Sequence, residues 1–193
     1  MASTEEMVLY YESGSTPCMS IMLALEEKGV SYTKKEKNSK KLKKLNPRKE
    51  IPVLKHGDVV IPQCLAACIY LEVSLANRNN VYTRAGDRYS VPQNKKKDPD
   101  EKDAKEDLAE ELMIWEEYLK EEGGPFIAEK EFSMADVSFF PVLAYVVWMG
   151  FQPKKAYPNL NKYYLAVRDR ETVQTVWPVD WNKPCPEKDF LSL

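Results

Sequence analysis

Ser15 lies in the run Ser15-Thr16-Pro17-Cys18, immediately before a stretch that reads as a helix. Pro17 suits a first helical turn, where the amide it lacks would have no partner, and a hydroxyl just ahead of that turn can cap the helix. Gln63 and Cys64 precede a second apolar helix, whose leading amides point outward and can hold a carboxylate without any special side chain. Cys64 brings a thiol there, a weaker donor than a hydroxyl. Ser133 and Asp136 stand at the spacing of a reciprocal helix cap, so Asp136 reads as a structural carboxylate, not a catalytic one. The four cysteines, Cys18, Cys64, Cys68 and Cys185, are too sparse for a disulfide scaffold and form no Cys-x-x-Cys pair. With His56 the sole histidine, set in a predicted turn beside Gly57 without a partner acid or nucleophile, no metal site is expected.

Each of these groups needs an element behind it. Met7–Tyr11 is an apolar and aromatic run of strand type that ends at the polar turn Glu12-Ser13-Gly14-Ser15. Met19, Met22, Leu23 and Ala24 follow at near-helical spacing, and Gly29 supplies the stop. Val30–Thr33 reads as a second strand. Lys34–Lys49 carries nine Lys or Arg against the one acid Glu36 and reads as solvated surface. Ile51–Leu54 and Val59–Ile61, parted by Lys55-His56-Gly57-Asp58, read as a hairpin. Gln63–Ala76 is an apolar helix.

Beyond Ala76 the composition turns polar. Asn77–Lys97 reads as a linker or irregular loop. A helix from about Pro99 sets Leu108, Leu112, Trp115 and Leu119 on one face and ends at Gly123-Gly124-Pro125. The helix opened by Ser133 is apolar nearly all round from Val137 to Trp148, which places it at the centre of an all-helical unit. Leu160–Arg168, begun by Pro158, is a further helix before a tail rich in proline and tryptophan. The expected organisation is a mixed α/β unit over residues 5–76, a polar linker over 77–98 and an all-α unit over 99–193.

The 193 residues include 44% apolar and 30% charged side chains at a net charge of −2, which excludes a disordered chain and gives no reason to expect nucleic acid as a partner. Val137–Trp148, interrupted by Pro141, is too short for a membrane span. No basic-then-apolar leader opens the sequence, and a reduced, cytoplasmic protein is expected.

This order of elements, together with four local motifs, resembles the cytosolic glutathione S-transferases. The likeness covers both ends of the chain, all but roughly Asn77–Ser90. Ser15-Thr16-Pro17-Cys18 resembles the Ser-x-Pro-Cys element of the serine-type classes. Asn46-Pro47-Arg48-Lys49-Glu50-Ile51-Pro52-Val53-Leu54 is similar to the segment that leads into the family's cis-proline strand. Gln63-Cys64-Leu65-Ala66-Ala67-Cys68-Ile69-Tyr70-Leu71-Glu72 resembles the helix start that holds the γ-glutamyl end of glutathione. Ser133–Asp136 matches the cap of the family's core helix. With Trp115-Glu116-Glu117-Tyr118-Leu119 and Val176-Trp177-Pro178, the likeness is greatest to the rho class.

The resemblance implies a thioredoxin-like N-terminal domain with an all-α C-terminal domain. It implies glutathione as co-substrate and conjugation of its thiolate to small electrophiles. Ser15 is then the thiolate stabiliser, with Tyr11 the alternative, since tyrosine-type classes place that residue at the end of the same strand. Ile51, Pro52 and Val53 would present a main chain to the cysteinyl part like an added strand. Lys49 would meet the glycine carboxylate, although it equally fits a lysine-rich surface. Gln63 and Cys64 would take the γ-glutamyl end. The family uses Ser or Thr where Cys64 stands, so weaker binding of glutathione is expected. Cys18 occupies the inner thiol position of a thioredoxin-like fold, with Ser15 where the attacking thiol would be, which disfavours a dithiol reductase using Cys18 or Cys64. The region after Asn77 is about one helix shorter than family members, which bears on the electrophile pocket and on homodimer formation. The rival reading is a non-catalytic binding or assembly module of the same shape.

Overall fold

The computed structural model describes residues 5–37, 42–75, 101–128, 130–154 and 156–185. Their elements are strand β1 (Met7–Tyr11), helix α1 (Thr16–Glu27), β2 (Thr33–Glu36), the short helix α2 (Leu42–Leu45), β3 (Val53–His56), β4 (Val59–Ile61), and helices α3 (Cys64–Ser74), α4 (Glu101–Glu122), α5 (Met134–Trp148), α6 (Pro158–Arg168) and α7 (Glu171–Val176). A 3₁₀ turn covers Val179–Asn182. They form two units: the first comprises the elements up to α3 together with Glu171–Lys183, and the second holds α4 to α6. The polar linker expected over 77–98 lies outside the described residues. The expected all-α unit over 99–193 therefore loses Glu171–Lys183, because α7 packs on α1 in the first unit.

In the first unit the sheet runs β2-β1-β3-β4. β1 and β2 are parallel, with Val8 opposite Thr33 and Tyr11 opposite Glu36. Parallel neighbours need a crossover, which α1 supplies. β3 lies antiparallel to β1, with Tyr10 opposite Val53, and β4 returns along β3 with Leu54 opposite Ile61. The expected mixed α/β unit of strand, helix, strand and hairpin is what forms, and the pairing of its first two strands is parallel. Two strands shift from their expected places. Val30 donates its N–H to Leu25 as α1 ends, and the Tyr32 hydroxyl donates to Glu26, so the second strand starts at Thr33, not Val30. β3 starts at Val53, not Ile51, and His56 closes that strand instead of sitting in the turn; its Nδ1 lies 2.9 Å from the Tyr70 hydroxyl.

α1 is buried without interruption from Cys18 to Leu25. It ends as its sequence suggests, with Gly29 at φ 59°, a backbone conformation that a Cβ would strain. α3 packs beside α1. Lys28 and Glu72 pair at 2.8 Å in that interface, the ammonium fully buried.

The second unit is all helical. α5 is buried at Val137, Phe140, Leu143 and Ala144, as its all-round apolar character requires, while Val142 and Tyr145 remain exposed. Ser133 accepts from the Ala135 N–H at 3.3 Å, and the Asp136 carboxylate accepts from the Ser133 N–H at 2.7 Å and from its hydroxyl at 2.9 Å. The other carboxylate oxygen of Asp136 accepts from the Ile127 N–H at 3.0 Å. Burial pushes this carboxyl up, and the donors around it pull the other way. α6 lacks a capping side chain of its own. Glu116 of α4 takes that role, accepting from the Asn159 and Leu160 N–H groups at 2.9 and 2.8 Å. Trp115 stacks on Phe139 at 3.9 Å, joining α4 to α5.

Candidate functional site

The leading ends of two helices and one loop of the first unit carry the residues singled out from the sequence. Ser15 is the N-cap residue of α1, with extended backbone at φ −75°, ψ 114°, and its side chain makes no bond to the helix amides. The helix is held at its start by the main chain alone, Met19 N–H to Ser15 C=O at 2.9 Å. The half-buried hydroxyl instead neighbours the Cys18 thiol. Burial pushes Cys18 above the ordinary thiol range, with the Ser15 hydroxyl opposing it, so Cys18 is a buried neutral thiol that packs as a small apolar residue. Tyr11 closes β1, half-buried, with the Lys34 ammonium 5.9 Å from its ring centroid.

The loop before β3 is organised by Asn46, which is buried and accepts from the Arg48 N–H at 3.1 Å while its amide donates to the Glu50 carbonyl at 3.0 Å. Lys49 sits in that loop at φ 59°, exposed. The Ile51-Pro52 peptide is cis. Val53 is fully buried and lies opposite Tyr10 on the β1 side. On its other side the ladder to β4 begins only at Leu54. Continuing that register would bring Pro62 opposite Val53, and proline has no N–H to offer. The β3–β4 ladder therefore stops one residue short of Val53, which directly follows the cis-proline.

Gln63 is the N-cap of α3, exposed and with no side-chain cap bond. Cys64 is the first residue of the helix, half-buried, and its thiol faces Cys68 one turn on and Ser20 of α1. Donation from the Cys68 thiol, reinforced by Ser20, outweighs burial and lowers Cys64 below the ordinary thiol range, while Cys68 is pushed far up. The Cys64–Ser20 contact and the charge interaction of Cys64 with Cys18 bring the starts of α1 and α3 side by side. Ser15, Gln63 and Cys64 thus belong to two adjacent helix N-termini, each with leading amides that favour an anion. Lys49 donates its own N–H to the Asn46 carbonyl, within its loop and not to this pair. Among the described residues, no group of three or more His, Cys, Asp or Glu is arranged to hold a metal ion.

Asn46 and Ser20 shape the site and were not singled out from the sequence. Asn46-Pro47 is a turn-initiating pair that pointed to the first. Ser20, set in a buried helix, gave no signal.

The chain matches the family model described as glutathione S-transferase, N-terminal domain, over residues 5–73, and the one described as glutathione S-transferase, C-terminal domain, over 85–176. It is 33% identical to glutathione S-transferase A of Pleuronectes platessa over 221 aligned positions, covering 97% of this chain and 98% of that one. The crystal structure of a glutathione S-transferase from the Antarctic clam Laternula elliptica superposes with a TM-score of 0.82 at 31% identity, over 97% of this chain and 99% of the clam protein. A rice transferase solved in complex with glutathione shares the fold, with a TM-score of 0.75 at 21% identity over 98% and 96% of the two chains. The two adjacent helix starts, the cis-proline ahead of β3 and similarity along nearly the whole length lead to one conclusion: this chain belongs to the glutathione S-transferase family.

Proposed function

We propose that this chain conjugates the thiolate of glutathione to small electrophiles, with Ser15 stabilising the sulfur as in the serine-type, rho-like classes. A neutral thiol is a poor nucleophile whose pKa lies roughly 1.5 units above neutral pH, while thiols at helix N-termini fall to about 3.5–7.5. The observation that carries the reading is the Ser15 hydroxyl, which stands at the start of α1 and is not spent on capping it. Glutathione would lie beside the cis-proline turn at Ile51, Pro52 and Val53, its γ-glutamyl carboxylate on the leading amides of α3 beside Gln63 and Cys64. Its glycine carboxylate would reach toward Lys49. Tyr11 is the alternative stabiliser, and its ring is engaged toward Lys34.

A chain of 193 residues aligned over 221 positions with the Pleuronectes relative is the shorter partner, which favours a reduced pocket for the second substrate. Exposed Leu65, Ile69 and Val73 form a stripe at four-residue spacing on α3, an apolar face suited to a second copy of the chain. The cysteines of the described residues are all free thiols, in keeping with a cytoplasmic protein.

The test is turnover of a generic aryl halide with glutathione. Activity lowered about 10²–10³-fold by Ser15→Ala and retained by Tyr11→Phe supports the assignment, and the reverse pattern moves the role to Tyr11. Retention on immobilised glutathione with no turnover across several electrophile classes would identify a binding module instead.

A further inference from the structure

We infer that Trp181 is a positioning residue for the turn that carries Ser15, acting at the end of a strap, Glu171–Lys183, that runs along α1. The inference rests on the reading of Ser15 above. The strap is anchored at both ends of the helix. At the trailing end of α1, the Thr172 hydroxyl donates to Glu27 at 2.5 Å. Val173 and Val176 are then buried as α7 packs on α1. At the leading end the indole of Trp181, buried and edge-on to Trp177 at 5.6 Å, meets Gly14. A Cβ built on Gly14 would stand 3.5 Å from Trp181 Nε1, ordinary contact distance, so the indole covers that face of the turn. Gly14 itself has φ +78°, which a side chain would strain.

The indole adds to a lightly held turn. Glu12 and Ser13 are exposed, Glu12 pairing with Lys37, and the main-chain closure, Ser15 N–H to Glu12 C=O, is long at 3.3 Å. From the helix side the Ser15 hydroxyl meets the Cys18 thiol and makes no bond to the helix amides. The indole supplies packing one residue from the hydroxyl, and a misplacement of about 1 Å at a reacting group is worth on the order of 10²-fold in rate. The groups proposed to dock glutathione lie on the other loop and on α3, so the brace acts on the sulfur's ionisation and not on the tripeptide's docking.

The experiment compares Trp181→Ala, Trp181→Phe, Ser15→Ala and the double variant, using the full chain, glutathione and an aryl halide, well below each variant's melting temperature. The expected result for Trp181→Ala is a fall in kcat of about tenfold to 10²-fold, a glutathione KM within about threefold of wild type, and an acidic limb of the kcat pH profile moved to higher pH. Trp181→Phe restores most of the rate, and Trp181→Ala adds nothing in the Ser15→Ala background. A Trp181→Ala variant with unchanged kcat and pH profile, or one equally damaging without Ser15, overturns the inference. Should Trp181→Ala fail to fold, Trp181→Leu is read by the same criteria. Full activity in Ser15→Ala sinks the reading of Ser15 instead, so the two failures are told apart.

Discussion

Ser15 and Ser133 both occupy the N-cap of a helix, both in extended backbone, yet the two positions have been put to different uses. Ser133 is buried, its hydroxyl tied into a closed box with Asp136, and every polar atom of that carboxylate is engaged. Ser15 is half-buried and leaves the amides of α1 uncapped by its side chain. A helix start can thus stabilise the fold or remain available to a ligand's charge, and what decides is whether a partner carboxylate stands three residues on. At α5 that residue is Asp136; at α1 it is Cys18, which cannot close the box.

Substitution should separate the two roles. Ser15→Ala should lower kcat by about 10²–10³, the usual cost of removing one donor aimed at a developing anion. Its melting temperature should stay close to wild type, because no cap bond is lost. Asp136→Ala should do the opposite, destabilising the protein by about 2–3 kcal/mol through lost capping and unsatisfied buried donors. Thermal melts of that variant should fall clearly, while kcat measured where it remains folded is unchanged. A Ser15→Ala variant that loses stability without losing rate would erase the distinction.

Smaller effects sharpen it at the third helix start. Cys64→Ser should tighten glutathione by up to about tenfold in titration calorimetry, the worth of one neutral hydrogen bond. The pH dependence has a defined sign. Cys64 is lowered from the ordinary thiol value, so raising the pH through its titration places a thiolate beside the docked γ-glutamyl carboxylate and weakens binding. Titrations with S-methylglutathione, whose sulfur cannot ionise, should weaken more steeply with rising pH in wild type than in Cys64→Ser. Tyr11→Phe should change kcat by less than about twofold, since the thiolate takes its hydroxyl donor from Ser15 and removing a group outside the transition state leaves kcat unchanged.

Much of this was legible in local sequence. β1, α1 and the cap of α5 follow from runs and spacings only a few residues long and formed where their patterns required, while the hairpin formed with its first strand moved from Ile51–Leu54 to Val53–His56. The second strand was expected at Val30–Thr33 but its position was not legible, because Thr33–Glu36 is polar; it is a strand by pairing with β1 at a sheet edge, where charged residues are tolerated. The roles of Glu116 and Trp181 were invisible for a related reason. Glu116 caps a helix whose first residues lie 43 and 44 positions away, and no local pattern announces that. Ser15 was ambiguous between cap and ligand from sequence, and the observed absence of a side-chain cap bond is what separates the two. Lys49 remained ambiguous in both, an exposed lysine among lysines with only its positive φ to distinguish it.

Glu171–Lys183 completes the unit built from the opening residues of the chain. During synthesis, the first seventy-odd residues leave the ribosome long before their last packing partner exists. Until residue 183 has emerged, α1 stands with one flank uncovered and the turn ahead of it unbraced. The nascent N-terminal portion must wait, partly assembled, while about a hundred further residues are added. A fragment cut after α6 would inherit the same defect, which ties the competence of the earliest-made part of the molecule to a late-made one.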